Sequence, residues 1–216
     1  MKILREILKL FRKDKDYYSP REYYYEKLLN KYSSVDSYIS LAKINDKETL
    51  FTDKDISFSD KPDFKKNQKK YIQKKYGKPI YTIVNNFPFG KITILFYRIF
   101  LGDVKVNLEL HFSQNSLIMY NYTFSYFLNE SKKKYLLNVL KEKYKINKDI
   151  ALNHCYVVDR KNTRMFFYDN FDFTIYYYIN FTDSDIYNQM KDIIKEDEQL
   201  NKRKMKLKEQ EFFRRL

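Results

Sequence analysis

KITILFYRIFLGDVKVNLELHFSQNSLIMYNYTFSYF, residues 91–127, decides the fold class. Its middle portion alternates strictly: Val104, Val106, Leu108, Leu110 and Phe112 are apolar, and Lys105, Asn107, Glu109 and His111 are polar. A period of two belongs to a β-strand with one buried and one wet face. Gly102-Asp103 marks a tight hairpin before that strand, and residues 113–116 form a second turn after it. The stretch therefore predicts an antiparallel meander with strands over 91–100, 104–112 and 117–127.

Outward from the meander, helical spacing takes over. Residues 62–76 predict a lysine-loaded helix that buries Phe64, Tyr71, Ile72 and Tyr76, and Gly77 and Pro79 end it. Residues 131–145 predict another, with Tyr135, Leu136, Val139, Leu140 and Tyr144 on one side. Two or three short strands follow, fitting 155–159, 165–168 and 173–180. Thr182 or Asp183 then caps a long final helix carrying Ile186, Met190, Ile193 and Leu200 at packing spacing. Its last part, 201–216, is mostly charge and projects from the domain or binds something.

The N-terminal side is less regular. Ile3, Leu4, Ile7, Leu8 and Phe11 make residues 1–13 an amphipathic helix, suited to packing on the domain or to weak contact with an anionic membrane surface. Ser19-Pro20-Arg21-Glu22 reads as the capped start of a second helix reaching about Tyr32. Residues 33–60 are mixed, with short strands expected over 38–43 and 48–58.

The expected fold is thus α+β. An antiparallel sheet of five or six strands carries helices mainly on one face, in the core order α-βββ-α-ββ-α. Residues 61–200 form this core, 1–60 a helical or mixed extension packed on it, and 201–216 a charged helical tail. The element order resembles that of small secretion-chaperone folds, which implies a protein partner.

Composition narrows the function classes. The net charge is +14, and the segments 1–15, 61–78, 132–148 and 201–216 carry +4, +7, +6 and +5. Basicity therefore resides in the helices, while residues 79–127 are nearly neutral. One use for it is nucleic-acid binding through Lys65, Lys66, Lys69, Lys70, Lys74 and Lys75, with Lys132, Lys133 and Lys134 and the 202–208 segment assisting. The simpler use is solvation of exposed helix faces. With 33 Lys against 9 Arg, 17 Asn and two Ala, the chain has the residues AT-rich codons favour, which points to a bacterial or phage genome of that kind. Selection for phosphate geometry would favour arginine.

Enzymatic signatures are absent. No P-loop, dinucleotide-binding glycine motif, His-Glu-x-x-His or Cys-x-x-Cys occurs, and three glycines leave little for a phosphate cradle. No cofactor, catalytic residue or metal site is assigned. An enzyme would have to use His111 as a base oriented by Glu109, or pair Cys155 with a histidine other than its neighbour His154. Strand tyrosines Tyr97, Tyr120, Tyr122, Tyr126 and Tyr176 to Tyr178 either fill the core or offer an exposed stacking or docking patch.

No apolar run reaches the length of a membrane span, no signal peptide is visible, and the single cysteine suits a reducing compartment, so the cytoplasm is the expected location. The functional expectation is a non-enzymatic interaction protein that binds another protein: an adaptor, chaperone, immunity protein or structural component of an assembly. Nucleic-acid binding is the alternative.

Overall fold

Residues 20–42, 48–59, 68–124, 129–170, 172–179 and 185–215 are described by a computed structural model of the chain. They belong to two compact units, Met1–Ser34 and Val35–Leu216. In the first, helix α1 (Pro20–Lys31) starts on its proline, whose fixed φ suits a first turn and whose missing N–H would be unsatisfied there anyway. The Lys31 ammonium lies 4.7 Å from the centre of the Tyr32 ring. The helix expected over 1–13 lies outside the described residues.

The second unit runs α2 (Val35–Ala42), β1 (Glu48–Phe51), α3 (Gln68–Tyr76), β2 (Tyr81–Phe87), β3 (Gly90–Leu101), β4 (Val104–Ser113), β5 (Ser116–Phe124), α4 (Glu130–Tyr144), β6 (Cys155–Val158), β7 (Arg164–Asp169), β8 (Phe173–Tyr178) and α5 (Asp185–Arg215). All strands join one sheet in the order β1-β6-β7-β8-β5-β4-β3-β2.

Four expectations about the strands and their order need correction. The sheet has eight strands, not five or six. It is mixed, because β1 pairs parallel with β6, Leu50 opposite Val157, while the other pairings are antiparallel. From residue 68 the order is α-ββββ-α-βββ-α, so the expected order fails, and with it the likeness to the secretion-chaperone arrangement. Fourth, the strand expected over 38–43 is helix α2, since Val35, Tyr38, Ile39 and Ala42 repeat at the i, i+3, i+4, i+7 spacing of a helical stripe.

The meander itself forms as its alternation dictates. Gly102 takes φ +61 in the β3–β4 turn, a conformation costly for a residue with a Cβ. Arg98 Nε donates to Asn107 Oδ1 across the same hairpin. The β4–β5 ladder shifts register between His111 and Phe112, a bulge that lets Leu117 join the face carrying Tyr120.

Helices cover both faces, where they were expected mainly on one. On the first face Leu95, Leu108, Leu110, Tyr120, Phe167 and Tyr177 belong to a single core cluster. Helix α3 adds Ile72 to it, and α4 adds Leu140 and Tyr144. Tyr120 and Tyr177 stack with ring centres 4.4 Å apart.

The second face carries Ile94, Phe96, Met119, Phe166, Tyr176 and Tyr178, all buried. Helix α2 packs there by setting the Tyr38 ring edge-on to His111 and Phe87. Helix α5 follows beside α2 and buries Met190 completely. Burial pushes the Tyr156 hydroxyl up to about 12 against the pull of Arg164, and Tyr187 of α5 adds to the rise.

The row Lys105, Asn107, Glu109, His111 is therefore wet only at its start. Lys105 is exposed and Asn107 half-buried, but Glu109 and His111 are 3% and 0% exposed beneath the second helical layer.

Candidate interaction surfaces

The lysines predicted to bind anions separate into three groups. Lys65 and Lys66 lie outside the described residues. On α3, Ile72 is drawn into the core, which leaves Lys70, Lys74 and Lys75 exposed and Lys69 half-buried. Lys75 covers aromatic surface: its ammonium stands 5.0 Å from the Tyr76 ring centre and 5.9 Å from that of Phe58.

Helix α4 is held at both ends. Asn129 caps it by accepting the Lys132 backbone N–H at 2.9 Å. Lys145 closes it in the left-handed region, and the Ile146 N–H donates back to the Lys141 carbonyl. Lys132 and Lys134 are exposed. Lys133 turns inward, its ammonium 2.7 Å from Glu130 and 3.0 Å from Asp169. Hydrogen bonds to Glu130 and then Asp169 raise its pKa, so its charge is committed to joining α4 to the end of β7. Lys141 is similarly tied to Asp149 at 2.6 Å.

Helices α3 and α4 thus present Lys70, Lys74, Lys132 and Lys134 on the same side of the sheet. The basic segment 202–208 belongs to α5, whose buried part packs on the opposite side.

The polar group inside the second layer is closed. His111 Nδ1 lies 3.2 Å from the Tyr38 hydroxyl, and His111 Nε2 lies 3.8 Å from Glu109 Oε2. Asn121 Nδ2 donates to the same Glu109 oxygen at 2.9 Å. Burial first, and the Glu109 carboxylate second, push the Tyr38 hydroxyl far above the usual tyrosine range. Tyr38 is the member that strand periodicity could not reveal, because it arrives from a helix 73 residues away. These side chains are sealed between α2 and the sheet, so the arrangement suits fastening the helix rather than meeting a substrate.

His154 is exposed, while Cys155 is buried with its thiol pKa pushed up by burial, the reverse of an activated nucleophile. Among the described residues no group of three or more His, Cys, Asp or Glu is placed to hold a metal ion. An open cleft of about 210 Å³ lies between Thr49–Phe51 and Lys145–Lys148, and neither histidine, cysteine nor carboxylate lines it. No described helix is long and apolar enough to cross a membrane.

Among the described residues the strand tyrosines singled out above do not form an exposed patch. Tyr97, Tyr120, Tyr176, Tyr177 and Tyr178 are buried, Tyr122 is half-buried, and Tyr126 lies outside the described residues.

Helix α5 is different in kind. Every residue from Lys195 to Glu211 is exposed, a run of about 25 Å at 1.5 Å per residue. Leu200, Met205 and Leu207 are 48%, 66% and 65% exposed on it. Over that run the helix gains little from the core, so Leu200, Met205 and Leu207 are exposed to another surface. The sequence signal was the dense charge of 201–216.

No family model matches the chain, and no curated protein or solved structure is detectably similar to it.

Proposed function

We propose that this chain is a non-enzymatic interaction protein that binds another protein through the free length of α5. The supporting observation is the exposure of every residue from Lys195 to Glu211, with Leu200, Met205 and Leu207 among them, on a helix anchored to the domain by Met190. Helix-in-groove recognition uses this kind of element: Leu200 and Leu207, seven residues apart, share one side of the helix and are flanked by charge, while Met205 lies on another side. The α+β domain then serves as the base that fixes where the helix starts.

The test compares the full chain with one ended after Gln199, each used as bait side by side in extracts of the source cells. Proteins recovered with the full chain and lost with the shortened one support the reading. An identical set of captured proteins from both baits contradicts it.

A second reading rests on its own observation, the placement of the exposed lysines of α3 and α4 on one side of the sheet. It is nucleic-acid binding by phosphate contact, without base stacking. Oligonucleotide affinity that falls by orders of magnitude between about 50 and 200 mM salt, and that Lys70→Glu/Lys74→Glu abolishes, would support it. No binding at the lower salt removes it.

A further inference from the structure

The free part of α5 has an internal symmetry of charge. Glu196, Asp197 and Glu198 precede Leu200, and Lys202, Arg203 and Lys204 follow it. Ile193 and Leu207 stand seven residues to either side of Leu200, so at 100° per residue the three form one nearly straight apolar column, whose inner end, Ile193, is half-buried against its own domain. Glu196 and Arg203 border that column along one edge, and Asp197 and Lys204 along the other. Glu198 and Lys202 fall on the far side of the helix, at the i, i+4 spacing where they can pair with each other.

From this arrangement we infer that α5 pairs antiparallel with α5 of a second copy of the chain, about a two-fold axis at Leu200. The inference rests on the reading of α5 as a protein-binding element and names its partner. The two-fold stacks Leu200 on Leu200 of the second copy and Ile193 on its Leu207. The same operation brings Glu196 beside Arg203 of the second copy and Asp197 beside its Lys204. Both copies supply the same two pairs, so four opposite-charge contacts flank a central Leu200 layer and two outer layers to which Ile193 gives only the part of its surface its own domain leaves open.

Parallel pairing is disfavoured by the same residues. It would set Arg203 and Lys204 against themselves and Glu196 and Asp197 against themselves, and like charges at such positions oppose association. The apolar column spans about 21 Å and has only three layers, so the affinity is modest and dimerisation depends on concentration.

Sedimentation equilibrium of the full chain from about 1 to 200 µM tests the inference, with circular dichroism confirming that each variant stays folded. The wild-type chain should be in monomer–dimer equilibrium. Glu196→Lys/Asp197→Lys should raise the dissociation constant about tenfold or more, and Arg203→Glu/Lys204→Glu should do the same. An equimolar mixture of the two variants should dimerise again, as should the variant carrying all four exchanges.

A wild-type chain that is monomeric at 200 µM overturns the inference, as does a dimer indifferent to both exchanges. Neither outcome touches the wider reading. That reading fails only if the chain ended after Gln199 keeps every partner of the full chain.

Discussion

Helices α4 and α5 are both rich in lysine, yet they use it oppositely. In α4 the apolar side chains of Leu140 and Tyr144 enter the core, and Lys133 and Lys141 are drawn into contacts with Asp169 and Asp149. In α5 the packed turns end with Ile193 and Ile194, which are half-buried, and every residue from Lys195 to Glu211 is exposed. Net charge alone would not separate the two. What separates them is whether the charge lies beside residues the core already needs.

Substitutions can break or sharpen this contrast. The largest difference is expected between two leucines. Leu140→Ala removes a buried side chain and should destabilise the domain by about 2–4 kcal/mol, whereas Leu200→Ala should change dilute-solution stability by less than about 0.5 kcal/mol. Urea unfolding of both variants at micromolar concentration measures it, and equal losses would mean that α5 is part of the core.

A smaller effect is expected inside the second layer. Asn121→Ala leaves the buried Glu109 carboxylate without its amide donor and should cost about 2 kcal/mol by the same measurement. Removing only the Tyr38 hydroxyl, as Tyr38→Phe, should cost about 1 kcal/mol while leaving α2 in place. A neutral result for both would mean that α2 is held by packing alone.

The smallest effect concerns the ion pair that commits α4. Lys133→Ala should cost less than about 1 kcal/mol, because Glu130 is solvent-exposed and the contact is screened. Its sign follows from the raised lysine pKa of the folded state. The stabilisation is complete below the ordinary lysine value and is lost as the pH rises through the raised one. On the alkaline side, stability curves of wild type and variant should therefore converge in strongly alkaline solution.

The meander was legible because its information is local. Strict alternation in β4 and the glycine of the β3–β4 turn specify strand, face and hairpin within a few residues of each other. Strand β2 was not, because Asn85, Asn86 and Pro88 read as loop chemistry although Tyr81, Ile83 and Phe87 alternate on its inward side. The parallel pairing of β1 with β6 joins residues about a hundred positions apart, and four-residue strands give no local sign of their partner.

The burial of Glu109 and His111 was hidden for a related reason. Periodicity in β4 separates two faces but cannot say that α2 and α5 will cover the polar one. The exposed lysines of α3 and α4 could be named from sequence, while the inward turn of Lys133 depended on Asp169, a strand end 36 residues away. The free half of α5 was the most legible feature of the candidate surface, since its charge density already forbade burial.

The central claim is that α5 beyond its packed turns serves a partner and not the fold. Its most direct test is thermal unfolding, at about 1 µM, of the full chain and of the chain ended after Gln199. The account predicts melting temperatures within about 2 °C of each other. A loss of about 5 °C or more in the shortened chain, equivalent to more than 1 kcal/mol at this size, would contradict it by making the segment part of the domain.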